Sequence, residues 1–279
     1  MERAKITKKQ VDFIINNYAN HGAKYCADKL KIEEKLIKRK AYVLGLKLSI
    51  EKFSEQQSKK SLKTNYPNIQ KFLNLNNPKM IYFLGLFWAD GYLHDTKNRF
   101  ELSINKEDYD NVSKIINKLG EWNIYERNRK GRKPQVTVGC YSKDICNLMR
   151  IYGFGDKSII KPTFLEKIPK NLIHYFFRGL IDGDGCFYIS PNKKCRQFYL
   201  AGSYDQEWSY FTNFLNDLNI KFKVKKKTQN KTQKYSVVFL SGRELVKLGE
   251  IIYKNFNKDK IGFTRKYEKF ILIKETFNK

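Results

Sequence analysis

Two aspartates, Asp90 and Asp184, stand near the ends of two nine-residue phrases that repeat each other. FLGLFWADG begins at Phe83 and FRGLIDGDG at Phe177, and they align without gaps at an offset of 94. Five of the nine positions are identical: Phe83/Phe177, Gly85/Gly179, Leu86/Leu180, Asp90/Asp184 and Gly91/Gly185. The chain therefore contains an internal duplication. Gly85 and Ala89, like Gly179 and Gly183, are four positions apart, which places each pair on one face of a helix. Each helix then offers a strip of little side-chain volume through which the other can approach closely. The glycines that follow the aspartates are expected to end each helix in the left-handed conformation, leaving Asp90 and Asp184 in the last turn. A helix C-terminus carries partial negative charge and disfavours an ionised carboxylate by roughly 0.3–1 kcal/mol. Two such ends side by side must share a proton or take up a cation. Oxygen donors from Asp90 and Asp184, with the carbonyls of Ala89 and Gly183, suit Mg²⁺, with Mn²⁺ or Ca²⁺ as possible substitutes.

The repeated phrase resembles the LAGLIDADG motif of homing endonucleases, in the form where one chain carries both copies, and the likeness spans residues 75–275. Trp88 departs from the pattern, since the family often has an acid there and the second copy has Asp182. The resemblance implies an α+β fold of two pseudo-symmetric αββαββα halves forming a DNA-binding saddle. It implies site-specific double-strand cleavage of DNA by metal-dependent phosphodiester hydrolysis, with one attack on each strand. In the family a lysine after the last helix of each copy lies near the metal. The local matches Asp156-Lys157-Ser158 and Asp259-Lys260-Ile261 make Lys157 and Lys260 the candidates for stabilising phosphate charge or orienting water. A non-cutting nucleic-acid binder of the same fold, an RNA intron maturase or a transcription regulator, is the alternative. Retention of both aspartates favours cleavage over binding alone.

The elements that must position these residues can be read around the motifs. Residues 7–18, 23–30 and 33–44 read as three short helices punctuated by Gly22 and Gly45, of helix-turn-helix length. Ile14, Ile15, Tyr18, Ala27, Leu30, Leu36, Ile37, Val43 and Leu46 are their expected core. Lys35, Lys38 and Arg39 stand on the third helix, where a recognition helix meets a groove. The division expected is thus a helix-turn-helix domain at 1–48, a polar linker at 49–77, and two halves at 78–170 and 171–279. After each motif come two strands, a helix, two strands and a helix. Lys221, Lys223, Lys225 and Lys227 alternate with Phe222 and Val224, which predicts a lysine face and an apolar face on one strand. Arg127, Arg129, Lys130, Arg132 and Lys133 occupy the matching hairpin of the first half. Lys193, Lys194 and Arg196 occupy the first turn of the second half. All are candidates for phosphate contact.

Lys and Arg number 55 against 28 Asp and Glu, a net charge of +27, so a polyanion is the expected partner: double-stranded DNA with a long target site, with intron RNA as a further candidate, bound by a monomer. No apolar run reaches membrane-spanning length, and the first ten residues lack a signal-peptide core. The expected location is the cytoplasm of a bacterium or phage-infected host, or an organelle matrix. Cys26, Cys140, Cys146, Cys186 and Cys195 lack zinc-module spacing and are expected to be reduced. His21, His94 and His174 are too few and scattered for an HNH-type site and are expected on the surface or satisfied in the core. There is no Walker A loop, no HExxH and no nucleophile next to a base.

Overall fold

The computed structural model describes residues 6–49, 52, 67, 69–94, 96–128, 131, 133–155, 157–229 and 232–277. The chain divides into two compact units, Met1–Asn65 and Tyr66–Lys279. Among the described residues no helix is long and apolar enough to cross a membrane.

The first unit is helical. α1 (Lys8–Leu30) opens on a capping box, in which Thr7 Oγ1 accepts from the Gln10 amide and Gln10 Oε1 from the Thr7 amide. The helix breaks at Gly22, whose φ of 80° and ψ of 177° leave the helical region. α2 (Glu34–Val43) follows a turn through Lys31. Ile14, Ala23, Cys26, Ala27 and Ile37 form the core. Ile15 and Val43, expected inside, are 44% and 70% exposed. Each lies well round its helix from the buried stripe set by Ile14 and by Ile37 and Ala41.

In the second unit α3 (Ile69–Leu73) lies inside the stretch expected to be linker. Phe72 is fully buried, and its carbonyl accepts from the Tyr152 hydroxyl at 3.2 Å. A five-residue helix is too short to show periodicity, so residues 69–77 belong with the second unit rather than to a linker; of 50–68 only Lys52 and Pro67 are among the described residues. The first half then runs α4 (Pro78–Asp90), β1 (Gly91–Leu93), β2 (Arg99–Asn105), α5 (Lys106–Leu119), β3 (Asn123–Arg127), β4 (Gln135–Tyr141) and α6 (Lys143–Ile151). The second runs α7 (Ile173–Asp184), β5 (Gly185–Ile189), β6 (Arg196–Ser203), α8 (Ser209–Asp217), β7 (Lys223–Gln229), β8 (Gln233–Ser241) and α9 (Arg243–Ile252), then adds α10 (Phe256–Asp259) and α11 (Thr264–Glu275). Two antiparallel sheets result, ordered β1-β2-β4-β3 and β5-β6-β8-β7. Their registers correspond: Leu102 faces Val138 in one and Leu200 faces Val238 in the other. Phe100, Leu102 and Ile104 are buried and alternate with Arg99, Glu101 and Ser103 on the opposite face. The fold is α+β and pseudo-symmetric, as the duplication requires.

The small strips do what their spacing predicts. A Cβ at Gly85 would lie 3.0 Å from Leu180 N and nearer still to the Phe176 carbonyl. One at Gly179 would lie 2.6 Å from Leu86 N and press into the Tyr82 carbonyl. α4 and α7 thus meet backbone to backbone. Gly91 and Gly185 are not left-handed: their φ, ψ are −78°, 148° and −77°, 152°. Each helix turns directly into a strand, and a side chain there would strike the last helical turn, at Phe87 or at Ile181. The demand for glycine is steric rather than conformational.

Candidate active site

Asp90 and Asp184 are the last helical residues of α4 and α7. The crossing brings these ends together, and a Cβ at Gly183 would stand 3.1 Å from Asp90 Oδ2. Both aspartates are exposed, so solutes can reach them. The surrounding protein and the Asp184 charge push the Asp90 carboxyl up to about 6, against the pull of Lys266 and Lys157. Desolvation by the surrounding protein also raises Asp184, opposed by the same lysines.

The structure puts a lysine at each helix end. Lys157 Nζ donates to the carbonyls of Ala89 at 3.1 Å and Gly91 at 2.8 Å. Lys266 Nζ donates to Ile181 at 2.8 Å, Gly185 at 2.7 Å and Gly183 at 3.4 Å. Lys266 therefore occupies the place expected for Lys260. Lys260 ends the four-residue α10 in the left-handed conformation, with its ammonium over the Phe256 ring at 5.9 Å. The local likeness of the two Asp-Lys pairs misled, because the second half inserts α10 before the segment that returns to the motif. Burial pulls both ammoniums below the ordinary lysine value; Asp184 and Asp90 push Lys157 back up, and Asp182 and Asp90 do the same for Lys266. The carbonyls of Ala89 and Gly183, assigned above to a cation, already accept from these lysines.

The contrast at the sixth position of the motif, Trp88 against Asp182, is a difference in packing. Trp88 meets Phe154 and Tyr210 edge-on. Asp182 is fully buried and accepts from Tyr82 OH at 2.9 Å, Tyr253 OH at 3.1 Å and Phe263 N–H at 2.8 Å. Its carboxylate is committed to these core partners.

Among the described residues no group of three or more His, Cys, Asp and Glu could hold a metal ion. The two carboxylates nonetheless suit a hard cation. Mg²⁺ commonly binds through one or two carboxylates and completes its shell with substrate phosphate and water.

The basic residues divide. Lys223, Lys225 and Lys227 are exposed and face Phe239, Val237 and Tyr235 on the sheet side away from the helices. The other side of β7 is not the apolar face expected: it is an edge strand, Val224 is 48% exposed, and Lys226 pairs there with Asp205 at 2.7 Å. Lys221 precedes the strand, and its N–H bonds Glu244. Lys193 and Lys194 are exposed in the β5–β6 turn. Arg196 is committed elsewhere: its side chain donates to Thr276 and lies over the Phe277 ring at 4.2 Å. In the first half Arg127 donates to Tyr125 OH at 2.7 Å, and Lys133 pairs with Glu107 at 3.4 Å. Arg129, Lys130 and Arg132 lie outside the described residues. Lys35, Lys38 and Arg39 are exposed on α2, Lys38 paired with Glu34 at 2.7 Å.

Sequence reasoning missed Lys266, Arg99 and Glu101. Arg99 and Glu101 bond each other and Tyr125 on the strand face away from the helices, which alternation along β2 could have indicated. No local pattern separates Lys266 from the other lysines of the last thirty residues.

Comparison with known proteins bears on the two halves of the second unit. The model of the WhiA LAGLIDADG-like domain matches residues 79–158 and that of a LAGLIDADG-like domain matches residues 171–253. Among solved structures, the homing endonuclease I-WcaI bound to its DNA recognition sequence is 17% identical, with 70% of this chain and 87% of that chain covered and a TM-score of 0.48. The LAGLIDADG homing endonuclease I-GzeII in complex with a DNA target is 14% identical, with 73% and 90% covered and a TM-score of 0.43. Full-length DUF199/WhiA from Thermatoga maritima is 16% identical, with 72% and 61% covered and a TM-score of 0.43. No curated protein matches the chain.

Proposed function

Since the chain belongs to the LAGLIDADG family, in the form that carries both motifs on one polypeptide, we propose that it is a site-specific DNA endonuclease of the homing type. The observation that carries this reading is the convergence of two exposed carboxylates, Asp90 and Asp184, each beside a lysine that bonds its own helix end. The sheet faces away from the helices, with Lys223, Lys225 and Lys227 on one, would follow the duplex backbone. Asp90 and Asp184 would hold the divalent cation, Mg²⁺ by preference, with the unused lone pairs of the Ala89 and Gly183 carbonyls available to it. When bound, that cation supplies Lewis-acid stabilisation of phosphate charge and a lower pKa for attacking water. Lys157 and Lys266 hold the helix ends and place positive charge where the pentacovalent phosphate gathers negative charge. The duplication provides one such arrangement for each strand.

A second reading, a nucleic-acid binder that does not cut, is favoured by a specific observation. The ammoniums of Lys157 and Lys266 beside two carboxylates already balance charge, and among the described residues no third acidic ligand stands with them. The readings separate in one assay. DNA flanking the gene, in its uninterrupted form, is offered to the purified chain with Mg²⁺ and with a chelator. A double-strand break that needs the metal supports the nuclease, and tight binding with no break at any metal concentration supports the binder.

A further inference from the structure

The two lysines at the motif helix ends are carried by segments that the opposite half holds in place. Lys157 lies in the first half, in the turns that follow α6. Its carbonyl accepts from Gln206 Nε2 at 2.6 Å, and the carbonyl of Ser158 accepts from the Glu207 N–H at 2.7 Å. Gln206 and Glu207 lead into α8 of the second half. Lys266 lies in the second half, in the first turn of α11, and the two residues before it are held by α5 of the first half. Arg265 Nε and Nη2 donate to Asp108 Oδ1 and Oδ2 at 2.6 and 2.7 Å. Thr264 Oγ1 and N donate to Asn111 Oδ1 at 2.6 and 3.3 Å. α5 and α8 are equivalent elements, each the helix after the second strand of its half. The two braces are therefore related by the same pseudo-dyad as α4 and α7.

The braces differ in strength but share a consequence. Asp108 is 2% exposed and accepts a two-pronged, charge-assisted bond from Arg265, whose own side chain is half exposed. The Gln206 bond is a single amide-to-carbonyl contact. A lysine ammonium on its flexible stem is placed only as well as the backbone beneath it, and displacement by 1 Å at a reacting centre costs on the order of a hundredfold in rate.

Resting on the nuclease reading above, we propose that Asp108 and Gln206 are reciprocal positioning residues. Asp108, with Asn111, sets Lys266, and Gln206 sets Lys157, so that the centre cutting each strand is assembled by both halves of the molecule. Loss of one brace slows one strand and spares the other, and the two braces govern opposite strands.

The test uses the full chain with the target that the wild type cuts, as a duplex labelled separately on each strand, in Mg²⁺. Gln206→Met is expected to slow one strand about tenfold or more, and Asp108→Asn to slow the opposite strand by a comparable factor. DNA affinity and the rate on the spared strand are expected to stay within about twofold. Asn111→Ala, at an exposed contact, is expected to slow the same strand as Asp108→Asn by a smaller factor, and it carries the test if Asp108→Asn melts early. Variants that slow both strands alike, or that both slow the same strand, overturn the assignment while leaving the nuclease reading intact. A wild-type chain that cuts neither strand overturns the nuclease reading and the assignment with it.

Discussion

Lys266 and Lys260 are both lysines near the end of a lysine-rich chain, yet only Lys266 bonds the carbonyls at the end of α7. Lys266→Met should lower strand cleavage on the order of a hundredfold with DNA affinity retained, the scale of losing one preorganised donor. Lys260→Met should stay within about twofold of wild type. Comparable losses from both, in single-turnover cleavage, would contradict the placement. His174 supplies a different residue-scale prediction. It was expected on the surface or satisfied in the core; instead it is buried and its Nε2 has no partner among the described residues. Burial, with the charges of Arg178 and Lys254, lowers its pKa to about 4. A folded pKa below the unfolded one means that the unfolded chain binds the proton more readily. This contribution is fully present above pH 6.5 and is lost as pH falls through 4. Relative to His174→Gln, the wild type should lose up to about 3 kcal/mol of stability between pH 7 and pH 4. Parallel pH dependence of the two proteins in urea titrations would sink that reading.

The crossing of α4 and α7 is the element on which the site depends, and it was legible because it is a pattern of absences: small residues four apart, twice, in register. Gly179→Ala should cost about 3 kcal/mol or more by forcing the backbones apart, since its methyl would press into the Tyr82 carbonyl. Gly155→Ala, with nothing within 4 Å of its added Cβ, should be nearly silent. Equal midpoints for the two variants in denaturant would refute backbone-to-backbone packing. Other elements were hidden for stated reasons. The role of Gly91 and Gly185 was misjudged because helix-ending glycines usually answer a conformational demand, whereas here the chain passes straight into a strand and the demand is steric. β7 looked two-faced from its alternating lysines, but an edge strand has a neighbour on one side only, so Val224 remains exposed. α3 escaped notice because five residues carry no periodicity.

At the scale of the whole molecule, duplication and charge were written plainly in the chain, and long-range returns were not. That α11 brings Lys266 back to a motif more than eighty residues earlier is a tertiary fact with no local signature. The two cores are separate, one around Ile14 and Ile37 and the other around the motif helices. A chain lacking Met1–Asn65 should therefore fold with its own cooperative transition. It should bind target DNA more weakly at a given salt concentration, and still cut when protein is in excess. Failure of that shorter chain to fold would refute the independence of the units. Strand-resolved cleavage of a target-bearing plasmid by Asp90→Asn and Asp184→Asn variants in Mg²⁺ tests the central claim most directly. The account predicts that each variant binds the target but makes no double-strand break. Double-strand cutting at the wild-type rate by either variant would contradict it.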